Sequence, residues 1–215
     1  MKNPVYLFLL LALGLVVTSY KWVTASNSST QELTSMPSST IEDIMTRTSV
    51  RSYTSQEVTS EQIDTLLRAA MAAPTAGNKQ PWRFVVINDK SILDTIAANF
   101  PTMTMASKAP VAVIMCGDTT ATFPGNGRDY WIQDVSAASE NLLLAAHAID
   151  LGAVWCGIYP QMERVEQFSQ MLHLPAEIIP MACICIGHPS GQMTPKDKWH
   201  PEYVHYNTWG SGITE

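Results

Sequence analysis

Apolar residues recur at helical spacing in several stretches of the chain and run almost unbroken in others. Over residues 59–73, Ile63, Leu66, Leu67 and Ala70 return every three or four positions, which predicts an amphipathic helix. Thr59 with Gln62 three residues on forms a capping box at its start, and Pro74 forbids its continuation. A second helix is expected over 91–100, with Ile92, Leu93 and Ile96 inward. A third is expected over 162–172, closed by Leu174-Pro175. A short helix capped by Ser39 or Thr40 ends near Thr46. The longest pattern covers 131–150, where Val135, Ala138, Leu142, Leu143, Ala146 and Ile149 repeat among small alanines. That stretch is apolar almost all round, so it belongs at the centre of the molecule or at an interface between subunits.

Residues 84–87, 111–116 and 179–186 are short and nearly continuous in apolar residues, as strands buried on both faces are. Strands alternating with helices predict an α+β or α/β fold, a core sheet flanked by helices. Residues 119–129 contain Pro124, Gly125 and Gly127 and read as a short loop, the natural candidate for a lid.

The two ends of the chain read differently from its middle. Residues 1–25 carry a positive start, an apolar run from Val5 to Val17 and the small residues Val23-Thr24-Ala25 before Ser26. They read as a signal peptide or an N-terminal membrane anchor, which sends the rest of the chain to an exported or periplasmic location; an anchor with the domain facing the cytoplasm stays open. Residues 26–40 are rich in Ser and Thr and form a linker, so the folded domain is expected over 41–215. The four cysteines sit in apolar stretches and are read as buried free thiols rather than disulfides. His147 is read as a packed or interface histidine.

The formal net charge of −6, with no basic run, excludes a general nucleic-acid binder. No Gly-x-Ser-x-Gly, phosphate-binding glycine loop or metal-ligand spacing is present, so neither a protein nucleophile nor a metal ion is expected to carry chemistry. What remains is a set of short segments. Residues 73–82, Ala-Pro-Thr-Ala-Gly-Asn-Lys-Gln-Pro-Trp, join the first long helix to a strand through turn-forming residues. Their exposed amides suit a flat ligand, or they merely connect two elements. Arg47-Thr48-Ser49-Val50-Arg51 presents two guanidinium forks and a hydroxyl, a set matched to phosphate oxygens or simply solvated. Gly157, in Trp155-Cys156-Gly157, leaves room for a ring to approach the backbone, and Lys196 and Lys198 alternate in the tail.

Together with the 131–150 helix, these segments resemble, in order, the FMN-dependent nitroreductase family, with Thr75 in place of the usual Ser and Thr48 in place of a second basic residue. The resemblance covers roughly residues 41–209. It implies an α+β nitroreductase fold, a mixed sheet flanked by helices in an intertwined homodimer with FMN at the interface. It assigns the phosphate and ribityl chain to Arg47, Thr48, Ser49, Arg51, Lys196 and Lys198. It assigns the flavin ring to Pro74, Thr75, Ala76 and Asn78 from the other subunit and to Cys156 and Gly157. The implied reaction is ping-pong transfer from NAD(P)H to a nitroaromatic, quinone or similar small acceptor, with flavin N5 rather than a side chain as the reacting group. Two alternatives stay open: dehalogenation or flavin breakdown on the same fold, and a non-catalytic exported flavin-binding module.

Overall fold

Four strands make the sheet of the computed structural model: β1 (Trp82–Ile87), β2 (Val111–Asp118), β3 (Gly152–Gly157) and β4 (Ile178–Gly187), in spatial order β1-β2-β4-β3. Every neighbouring pair is antiparallel. The structure describes residues 40–211. The expected export segment 1–25 lies outside the described residues, as does the linker 26–40 except for Thr40. Among the described residues no helix is long and apolar enough to cross a membrane.

The helices are α1 (Thr40–Thr46), α2 (Ser60–Met71), α3 (Lys90–Asn99), α4 (Tyr130–Ala148) and α5 (Met162–Met171). Because side chains alternate along a strand, the wholly buried β2 sends Ala112, Ile114 and Cys116 into one layer and Val111, Val113 and Met115 into the other. The first layer is closed by Leu93 and Ile96 of α3 and by Val165 and Phe168 of α5, with Phe100 stacked on Phe168 at 4.6 Å. The second is closed by Leu66 and Ala70 of α2 and by Val135, Ala138 and Leu142 of α4. This is the helix-flanked α+β arrangement that the periodicity predicts. The capping box at Thr59 and Gln62 is present in both directions. All four cysteines are buried free thiols. Burial pushes the Cys116 thiol up to about 12, so it stays protonated and packs as a small hydrophobe.

Among the described residues, parallel pairing enters at a single place outside the four strands. The segment after α1 runs along the edge of β3, with a parallel bridge from Ser49 to Ala153 and a donation from Val50 N–H to Ala153 O at 3.0 Å. It then crosses to the chain beyond β4. Tyr53 bridges Pro189, Thr54 N–H donates to His188 O at 2.8 Å, and Ser190 N–H donates to Ser52 O at 3.1 Å. Buried Tyr53 donates its hydroxyl towards Val50 O at 2.7 Å and Cys185 O at 3.0 Å, and burial raises its pKa so that it remains a donor.

Two glycines make this docking possible. Gly152 and Gly187 face each other across the β3–β4 ladder. A Cβ on Gly152 would stand 2.6 Å from Val50 Cγ1, and one on Gly187 would stand 3.0 Å from the Tyr53 ring. Val50 and Tyr53 therefore sit where side chains would otherwise be. Gly152→Ala is expected to lower stability by about 1–3 kcal/mol through this overpacking. Urea unfolding checks it, and an unaltered midpoint would show that the segment can shift without cost.

Candidate functional site

The docked segment forms one wall of a cavity of about 450 Å³. Arg47, Thr48, Ser49 and Arg51 line it together with Gly191, Thr194, Lys196 and Lys198 of the tail. The tail reaches that wall because residues 189 and 190 are paired to the same segment. The lining contains four cationic side chains and no carboxylate. Arg47 is held from outside the cavity: its Nε meets Glu140 of α4 at 3.2 Å, and its side chain is only 17% exposed. Among the described residues no hydrogen bond or ion pair engages its two terminal nitrogens, which leaves a guanidinium fork directed by the fold rather than by solvent. Beside it His147, half-buried, shares a hydrogen bond of 2.9 Å with Thr46, tying the end of α1 to α4.

A second cavity, about 290 Å³, adjoins the first and shares Arg51 with it. Trp155, Cys156, Gly157, Tyr159, Gln161 and Arg164 belong to its lining. A Cβ built on Gly157 would meet nothing within 4 Å, so the backbone lies bare at the cavity wall. Cys156 is buried, and its hydrogen bond with Cys185 together with burial pushes its thiol pKa up. It is therefore no nucleophile at neutral pH.

The loop between α2 and β1 lies elsewhere. Pro74, Thr75, Ala76 and Asn78 line neither cavity. The loop holds a single turn of 3₁₀ helix, with Gly77 at φ 55° and Asn78 at φ 54° in the left-handed region. Thr75 Oγ1 accepts from Gln80 N–H at 3.1 Å, and Gln80 Nε2 donates to Asn78 Oδ1 at 2.9 Å. Ala76 N–H donates to Oδ1 of Asp134 on α4 at 2.9 Å. Asp134 is buried, and its Oδ2 has no partner among the described residues. The expected lid packs against this same loop, since a Cβ on Gly77 would fall 2.6 Å from Phe123.

The fold thus brings Arg47, Thr48, Ser49, Arg51, Lys196 and Lys198 together, sets Cys156 and Gly157 next to them, and keeps residues 74–78 apart. Sequence reasoning passed over Arg164 and the loop-holding role of Asp134. Nothing in the sequence separates Arg164 from a solvated helix residue, whereas Asp134 carried one signal, a charge within a largely apolar helix.

Residues 44–100 and 97–188 match the model of the nitroreductase family. A curated protein of Methanothermobacter thermautotrophicus named "Putative NADH dehydrogenase/NAD(P)H nitroreductase" is 40% identical over 170 residues, 79% of this chain and 87% of the relative. A crystal structure under the same name from Parabacteroides distasonis is 41% identical, with TM-score 0.76, over 80% of this chain and 99% of that one. A nitroreductase from Desulfovibrio desulfuricans, described as putative and solved in complex with FMN, is 30% identical, with TM-score 0.69, over 81% of this chain and 99% of that one.

One ion pair anchors the far end of the 74–82 loop. Arg83 meets Asp118 at 2.7 Å and also donates to Trp82 O and Gln80 O, while Asp118 N–H donates to Pro81 O. Burial alone would raise the Asp118 pKa, but hydrogen bonds from Thr120 and the charge of Arg83 outweigh it and hold the carboxyl below its ordinary value. A depressed folded pKa gives stability that is present above the unfolded value, about 3.9, and is lost as pH falls through the folded one. Asp118→Asn should therefore destabilise the protein at pH 7, with the difference from the parent shrinking below pH ~4. Urea midpoints across that range check it.

Proposed function

The chain belongs to the nitroreductase family, and from that premise we propose that it is an FMN-dependent oxidoreductase taking hydride from a reduced nicotinamide and reducing a nitroaromatic, quinone or similar acceptor in ping-pong turnover. The observation that carries this reading is the first cavity, with four cations, no carboxylate and the hydroxyls of Thr48 and Ser49. A terminal phosphate dianion needs that donor set, and a flat ring leaving the cavity past Arg51 meets the bare backbone of Gly157. The residues present therefore fit FMN.

FMN supplies the redox chemistry when bound, through a ring nitrogen that accepts hydride and returns electrons. The protein's part is placement. Arg47, braced by Glu140, and Arg51 hold the phosphate end from the docked segment, while Lys196 and Lys198 close on it from the tail. Cys156 and Gly157 bound the ring and keep water from one edge.

A second copy of the chain completes the site in this proposal. The apolar side of α1 is uncovered, with Ile41 and Met45 each 70% exposed, and Trp209 in the tail is 90% exposed. Such side chains favour burial against another subunit. Pro74, Thr75, Ala76 and Asn78, remote from their own chain's cavities, then serve the partner's cofactor. Asp134 holds their loop through Oδ1, which accepts from Ala76 N–H.

Purified protein should be a yellow dimer with one FMN per chain. Charge-assisted contacts contribute about 1.5–3 kcal/mol each, less at exposed lysines, so Arg47→Ala with Lys198→Ala should weaken FMN binding by roughly 10- to 100-fold. Fluorescence titration with FMN measures it, and parent-like affinity in the double variant would contradict the phosphate assignment.

A further inference from the structure

The second cavity holds a cation that FMN binding does not require. Arg164 stands in the first turn of α5, and its Nη1 donates to Gly157 O at 2.9 Å. That bond sets the guanidinium at the rim of the bare backbone patch and uses one of five donors. Arg164 makes no ion pair with a carboxylate among the described residues, unlike Arg47 with Glu140 and Arg83 with Asp118. The lining of this cavity contains Arg51 and Arg164 and no acidic residue. Both guanidiniums act on the same point of the wall: each draws the Cys156 thiol pKa down, against the larger upward push of its hydrogen bond with Cys185 and of burial. In a chain of formal charge −6, a cavity lined only by positive charge attracts anions and concentrates them.

We propose that Arg164 is a specificity-determining residue that binds an anionic group, carboxylate or phosphate, on the substrate entering the second cavity. This rests on the reading of that cavity as the place where the reacting ring is exposed. Arg51 is shared between the two cavities and is engaged by the cofactor's phosphate end, so Arg164 is the cation left for the substrate. Its planar fork pairs two oxygens at once while the Gly157 carbonyl keeps it in place. The enzyme consequently prefers anionic substrates over neutral ones of the same shape. The anion belongs either to the acceptor or to the phosphates of the nicotinamide donor.

The test uses the FMN-loaded full chain as parent, Arg164→Gln and Arg164→Lys. Visible-spectrum titration of the oxidised protein gives dissociation constants for 4-nitrobenzoate and 4-nitrobenzamide, which differ in charge and little in shape. Stopped-flow reduction compares NADH and NADPH with the uncharged donor 1-benzyl-1,4-dihydronicotinamide. If the anion belongs to the acceptor, Arg164→Gln lowers the benzoate-to-benzamide affinity ratio by about tenfold or more, and Arg164→Lys recovers part of it. If it belongs to the donor, the same loss appears in the ratio of NAD(P)H to benzyl-dihydronicotinamide reduction at low donor concentration. A parent that loads FMN while neither ratio moves in Arg164→Gln overturns this assignment alone. A parent that binds no FMN overturns the proposed function and this assignment with it.

Discussion

Two glycines facing each other across one ladder decide where the rest of the site can be built. Gly152 and Gly187 leave a shallow floor at the β3–β4 end of the sheet, and Val50 and Tyr53 fill it. With Val50 seated on Gly152, its neighbours Ser49 and Arg51 line the cavity. The Tyr53 hydroxyl, 2.7 Å from Val50 O and 3.0 Å from Cys185 O, keeps the segment from sliding. The same segment pairs with residues 188 to 190, which delivers Lys196 and Lys198 to the opposite wall. A close approach of two backbones thus gathers cations from positions about 150 apart in the sequence.

Charge does the rest. Like charges brought together repel, and a lining of four cations without a carboxylate is costly unless an anion arrives. The fold reduces that cost by bracing Arg47 with Glu140 from behind, outside the cavity. A phosphate bound there, as proposed, would relieve the remaining repulsion and so link cofactor binding to stability. The 74–82 loop shows the opposite economy. It is held by Asp134, by the Arg83–Asp118 pair and by its own side-chain hydrogen bonds, and its residues take no part in the cationic lining. A loop so firmly fixed, yet outside both described cavities, fits the proposal that a second subunit brings a site to it.

Much of this was legible in the sequence because it rests on local rules. The Thr59–Gln62 capping box, the stripe of Leu66 and Ala70, and the long helix, found at Tyr130–Ala148 where 131–150 was expected, follow from periodicity and capping alone. So does the reading of the cysteines as buried hydrophobes. The cationic wall was legible only through the family resemblance, since by residue type alone Arg47, Ser49, Arg51, Lys196 and Lys198 read equally well as solvated surface. What escaped depends on contacts between distant segments. The parallel bridge from Ser49 to Ala153 has no local signal, and neither has the seating of Val50 on Gly152. Arg164 reads as an ordinary helix residue until the Gly157 carbonyl turns up 2.9 Å away. The separation of Pro74, Thr75, Ala76 and Asn78 from the cavity that Gly157 lines is likewise invisible along the chain.

The central claim is that the wall docked on Gly152 and Gly187, closed by the tail lysines, is a phosphate site. A crystal structure of the FMN-loaded protein tests it most directly. The account predicts the phosphate in the first cavity, within hydrogen-bonding distance of Arg47, Arg51 and at least one of Lys196 and Lys198, with the ring directed past Gly157. A phosphate bound away from residues 47–51, with that wall left to solvent, would contradict it.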